Sequence, residues 1–405
     1  MVAVLLAVGV AVAVFVGFNI GGSSTGVAFG PAVGSETVSK TTAAALMTVF
    51  ALLGGATVGT NVVETMGGDI VPRSQFTLAA SVAVLFFVGL ALLVSNLFGV
   101  PASTSMTAVG AIAGLGVATD TIDWGVMGEI VTWWLVAPVL AFWVCAVIGR
   151  YLYPHLEARF ALETPGPDPS RRERVGGVLV VVIGCYMAFS AGASNVANAV
   201  APLVGSGEIG LYPGVFLAAG AIGLGAFTIA RRTLDTVGND LTELPILAAL
   251  VVEVVSASII TGLSQIGIPA SLAVSATMCI VGLGWGRATR TTRLADAADM
   301  AVSGPDRGDG SAVSDRGDGS AIAEDAPDGG GADETKSDFE VEPATSQRPP
   351  APADVPKIGE KDPDESTAAD LFDPQATGRV VVLWILTPSV SALASYLVFR
   401  FLPIP

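Results

Sequence analysis

Ten stretches of this chain are apolar for about as long as a helix needs to cross a bilayer. They lie at 1–20, 41–62, 76–97, 101–119, 126–149, 175–191, 211–231, 243–264, 268–286 and 379–400. A crossing takes roughly 20 residues of helix, because backbone polar groups in hydrocarbon must bond to one another. A buried core helix in a soluble domain accounts for one such stretch, not for ten. The expected fold class is therefore an all-α polytopic membrane protein, lodged in the lipid bilayer as a multi-pass protein of the cell membrane. The first stretch is apolar from Val2 with no basic residue ahead of it, so it reads as a first membrane helix rather than a removed signal.

The net charge of −16 is concentrated in one place. Between Asp296 and Asp373 lie 21 of the 36 acidic residues against six basic ones. That stretch repeats DRGDGSA at 306 and 315 and contains PPAPA at 349–353. It has too few apolar residues to offset ordering entropy, so 288–378 is expected to be a disordered acidic insertion. No basic face suited to nucleic acid is present. Cys145, Cys185 and Cys279 are isolated and His155 is the only histidine, so neither a metal site nor a disulfide framework is expected.

The rest of the chain is written twice. GGSSTGVAFGPAVGS begins at Gly21 and GASNVANAVAPLVGS at Gly192, each with a Pro ten places in (Pro31, Pro202). PASTS at Pro101 and PASLA at Pro269 are separated by nearly the same interval. Trp134–Pro138 recurs as Trp384–Pro388 at a longer interval, and the excess matches the acidic insertion. Two halves of five crossings each follow, at 1–155 and at 175–287 with 379–405, joined by a loop at 156–174. Five Arg lie in that loop and just before it, from Arg150 to Arg174, which places it in the cytoplasm. Counted outward from it, matching loops of the two halves fall on opposite sides. The expected architecture is thus two inverted-topology repeats, with both termini outside and with interrupted or short half-helices near the midplane. Paired breaks of that kind point to a transporter's substrate site. Trp133 and Trp134 read as packing or interface residues.

On these residues the chain resembles the inorganic phosphate transporter (PiT) family. GASNVANA at 192–199 is close to the family signature GANDVANA, and GGSSTGVA at 21–28 is a more distant version. RRTLDTVGNDLTELP at 231–245 and the two PAS elements occupy family positions in family order. The resemblance implies that signatures and short-helix starts from both repeats enclose phosphate and coupling cations. Carried onto this chain, the substrate-binding positions are Ser23, Ser24, Ser194, Asn195 and Asn198, with Ser103, Thr104, Ser105 and Ser271. Helix N-termini would offer N–H groups to the oxyanion.

The departures are chemical. Both signature Asp positions are uncharged (Ser24, Asn195), and both short-helix His positions are apolar (Met106, Val274). Losing the carboxylates weakens a family-typical sodium site and the acceptor that a protonated phosphate would use. Cation-coupling candidates are Asn195, Ser24, Glu253 inside a membrane helix, and Glu64 at a helix end; Glu243 begins a later helix. No nucleophile–base pair or Walker loop is present. The expectation is therefore not an enzyme but a secondary transporter importing inorganic phosphate with Na+ or H+, without cofactor or resident metal. Two alternatives stand beside it: a permease for sulfate or another tetrahedral oxyanion, and a non-transporting membrane sensor or scaffold. A homodimer is compatible with either transport reading.

Overall fold

The computed structural model describes residues 2–97, 103–159, 171–230, 245–289 and 374–402. It divides into a unit of Met1–Leu294 with Thr367–Pro405 and a unit of Ala295–Ser366. The second unit, RRTLDTVGNDLTEL with Glu243, and Pro101 lie outside the described residues. So does nearly all of the expected insertion, into which flanking helices run a short way at each end.

Every regular element among the described residues is helical. The first half contains α1 (Val2–Gly34), α2 (Lys40–Thr57), α3 (Gly59–Glu64), α4 (Leu78–Leu97), α5 (Thr104–Ala118), α6 (Trp124–Val147) and α7 (Tyr153–Arg159). The second contains α8 (Arg171–Gly205), α9 (Leu211–Thr228), α10 (Ile246–Gln265), α11 (Leu272–Ala288) and α12 (Pro374–Phe401). Among the described residues, seven helices are long and apolar enough to span a membrane. Three shorter apolar ones accompany them, at Leu78–Val94, Thr104–Ala118 and Leu272–Ala288. Together they account for the ten apolar stretches. Leu135, Val139 and Leu140 on α6 and Ile385, Leu386 and Leu393 on α12 are exposed, as side chains that meet lipid would be.

The signature segments differ from expectation. They do not interrupt their helices: Gly21–Ala28 and Gly192–Ala199 lie inside the continuous helices α1 and α8, of 33 and 35 residues. The hydroxyls of the α1 segment are satisfied within their own helix. Thr25 donates to the Gly21 carbonyl at 2.7 Å, and Ser23 donates to the carbonyls of Ile20 and Asn19. Pro31 and Pro202 fall in the last turns, where a missing N–H disturbs little of the ladder that follows. The stretch expected at 41–62 does break, at Val58, and a π-turn at Thr65–Asp69 follows α3.

What the signature glycines provide is close approach. A Cβ on Gly21 would overlap the Ile222 carbonyl, and one on the equivalent Gly192 would overlap the Ala51 carbonyl. Ala51 and Ile222 are separated by the same interval as the two glycines, so α1 packs on α9 as α8 packs on α2. Gly114 and Gly282 repeat the arrangement against the carbonyls of Ala392 and Phe142. Each short helix is thereby held to the last helix of the other half, α5 to α12 and α11 to α6. This reciprocity puts the two short-helix starts next to residues contributed by both halves.

Candidate functional site

The short helices begin alike because their caps are alike. Ser103 is extended (φ −74°, ψ 103°) and its side chain accepts from the Met106 N–H at 3.3 Å. Ser271 does the same for Val274 at 3.3 Å. A serine cap satisfies one of the four free N–H groups of a helix start, and the rest of each first turn still points outward with the positive end of its dipole.

The first turn of α5 meets the signature of α8 in a closed hydroxyl–amide network. The Thr104 hydroxyl donates to Asn195 Oδ1 at 2.7 Å. Ser194 donates to the Ala270 carbonyl at 2.7 Å, so its single proton is used. Ser105, 3.2 Å from Ser194 Oγ, must therefore be the donor of that pair. Asn198 Nδ2 lies 3.1 Å from Asn195 Oδ1, 3.1 Å from Ser105 Oγ and 3.3 Å from Thr104 Oγ1. With Asn195 Oδ1 taking two donors, its amide nitrogen faces away from both. Among the described residues no hydrogen bond uses that nitrogen, whereas the buried Asn198 Oδ1 has no donor. Ser105, Ser194 and Asn198 are fully buried. An entering anion must exchange these mutual bonds for its own.

The structure brings together Ser103, Thr104, Ser105, Ser194, Asn195 and Asn198, with Ser271 beside Ala270. It does not bond Ser23 and Ser24 into that network. Ser23 is occupied by carbonyls of its own helix, and Ser24 makes no side-chain hydrogen bond among the described residues. The sequence supplies the reason. Aligned on Pro101 and Pro269, Thr104 and Ser105 correspond to Leu272 and Ala273, so at those two positions α11 has no hydroxyl to offer α1. The two halves have the same backbone plan and different polar equipment.

Glu253 lies mid-way along α10, 5% exposed, where the equivalent position of α4 is the fully buried Leu85. No cation pairs with it among the described residues. Placing a charge at the centre of a membrane helix costs on the order of 3 kcal/mol, so a carboxyl here stands out. Glu64 is exposed at the end of α3.

Trp134 is more than packing. Its indole N–H donates to the Pro269 carbonyl at 2.8 Å, tying α6 to the residues that lead into α11. The recurrence of W-x-x-x-P matched the two halves but did not signal this bond, which the equivalent Trp384 does not make among the described residues.

A sequence profile described as the phosphate transporter family matches residues 20–395 of the chain. The chain belongs to the phosphate transporter family. This family comprises transporters, not enzymes, and with its apolar helices the protein is a multi-pass membrane protein. Among phosphate transporter family relatives, the sulfate permease CysP of Bacillus subtilis is 31% identical over 248 residues, 61% of this chain and 68% of that one. A putative phosphate permease of Chlamydia trachomatis is 33% identical over 141 residues, 32% of this chain and 33% of its own length. A solved structure titled the sodium-dependent phosphate transporter aligns with TM-score 0.60 at 18% identity, covering 74% of this chain and 94% of that one. At that identity the likeness is one of fold.

Proposed function

We propose that this protein is a secondary transporter that imports a tetrahedral inorganic oxyanion, and that sulfate suits its site better than phosphate. The observation that carries the choice is the chemistry of the α5–α8 network. It offers hydroxyl and amide groups and contains no carboxylate. Sulfate at neutral pH has only acceptor oxygens and is served by donors alone. Phosphate still carries a proton there, and for that proton the network has only a neutral acceptor, the unbonded Asn198 Oδ1, where a carboxylate would bind it more strongly. Hydrogen bonds to a charged partner contribute about 1.5–3 kcal/mol each, so a few donors decide between two anions of one shape. The relative named a sulfate permease, matched over twice as much of its length as the chlamydial phosphate permease, supports the same choice.

Phosphate is the second reading, favoured by the family as a whole. In that case Glu253 is the described buried carboxyl available to receive a proton or a coupling cation. Inward transport with Na+ or H+ and an inverted arrangement of the halves complete the proposal. The reciprocal glycine contacts and the arginines of the central loop support it. Uptake of labelled sulfate and phosphate into proteoliposomes, with Na+ and pH varied independently, is the test. Sulfate uptake that exceeds phosphate uptake is expected. The reverse preference overturns the substrate, and movement of neither leaves the sensor or scaffold reading.

A further inference from the structure

Met106 and Val274 are equivalent residues, one turn into the two short helices, and they meet in a small apolar cluster with Trp384 and Trp134. The two tryptophans are equivalent as well, yet their indole nitrogens are treated differently. Trp134 donates to the Pro269 carbonyl. The indole N–H of Trp384 is buried with no acceptor among the described residues, on a side chain only 9% exposed. A buried donor left unpaired is destabilising, and native proteins retain few such groups without a reason.

The packing ties this donor to the start of α5. Trp384 belongs to α12, which is seated on α5 through backbone approach: a Cβ on Gly110 would lie 2.5 Å from the Pro388 carbonyl, and one on Gly114 would lie 2.8 Å from Ser395 Cβ. Ser395 also donates to the Ala111 carbonyl at 2.6 Å. Met106, which packs in the cluster with the indole, directly follows Ser105. Trp384 and the Ser103–Ser105 turn therefore form one piece. Trp134 forms the matching piece with α11, but its donor is already used.

We infer that the Trp384 indole N–H is a substrate-binding donor, which bonds an oxygen of the translocated oxyanion together with the hydroxyls of the α5 start. The inference rests on the transport reading above. An N–H on a rigid aromatic ring suits this task. It cannot accept, so it favours an anion over water, and it loses little conformational freedom when it binds.

Trp384→Phe keeps an aromatic ring, smaller than the indole, and removes the donor. In proteoliposomes it is expected to raise the KM for sulfate about tenfold with a smaller change in maximal rate. A KM within twofold of wild type overturns the inference. A second measurement is independent of transport. The wild-type protein labelled with 5-fluorotryptophan contains six indoles, and the Trp384 resonance is identified by its loss in Trp384→Phe or in Trp384→Tyr. Saturating sulfate is expected to shift that resonance more than that of Trp134, and an unmoved Trp384 resonance overturns the role. A wild type that moves neither sulfate nor phosphate overturns the transport reading instead, whereas one that transports while Trp384→Phe equals it removes the donor role alone.

Discussion

Thr104 donates a 2.7 Å hydrogen bond to Asn195, from one half of the chain to the other. The bond joins a helix start to the middle of a signature, and it turns the Asn195 amide nitrogen away as a donor. Restoring a carboxylate by Asn195→Asp would place a negative charge beside a bound anion. At an effective dielectric near 20, like charges about 4 Å apart repel by roughly 4 kcal/mol. Asn195→Asp should lower sulfate uptake by at least an order of magnitude and phosphate uptake by less, since a protonated phosphate can donate to the new acceptor. Asn195→Ala should impair both anions. Wild-type rates in Asn195→Ala would remove this residue from the site.

The glycine contacts separate packing from helix propensity. Gly21→Ala should destabilise the protein by about 1–3 kcal/mol, the usual range for overpacking, because its Cβ meets a backbone carbonyl that cannot turn aside. Gly220→Ala in α9 has nothing within 4 Å of the added carbon, and should be neutral or stabilising by about 0.5–1 kcal/mol. Thermal unfolding in detergent reads both, and equal melting temperatures would refute the assignment of Gly21 as a contact residue.

Glu253→Gln preserves shape and hydrogen-bonding capacity while removing the charge. If the carboxyl carries the coupling cation, the variant should still exchange labelled for unlabelled oxyanion but lose concentrative uptake. Counterflow and gradient-driven uptake measured on one preparation distinguish the two. Retained concentrative uptake would leave Glu253 without a coupling role.

The acidic unit Ala295–Ser366 is expected to be dispensable for folding and for transport. Deleting it with a short Gly/Ser linker should leave the melting temperature and the sulfate KM unchanged within twofold. A variant that reaches the membrane and transports poorly would make the segment regulatory.

Much of this was legible in sequence. The constant interval between the two signatures predicted which glycines correspond, and the structure shows Gly21 and Gly192 in equivalent contacts. That PASTS and PASLA begin short helices was legible, but in sequence their serines read only as substrate positions, and it is the structure that makes Ser103 and Ser271 the caps of α5 and α11. Less legible was the state of the signatures. Their glycines and prolines suggest a broken helix locally, whereas in the structure the same glycines let neighbouring helices pack closely along a continuous helix. Nor does the sequence separate Ser23 from Ser194. A serine's partner is supplied by another helix, and the partner helix differs between halves.

By itself the sequence determined the elements, their duplication and the neutral character of the candidate site, because apolar length, recurring motifs and the loss of two carboxylates are properties of the chain read locally. Tertiary structure decided which of the matching polar residues meet. Thr104 and Ser105 reach Asn195 and Ser194, Leu272 and Ala273 offer α1 no hydroxyl, and of two equivalent tryptophans one N–H is bonded and the other is not. Such pairings depend on the angle and depth at which helices from opposite halves pack, quantities set by many small contacts at once and written in no single segment.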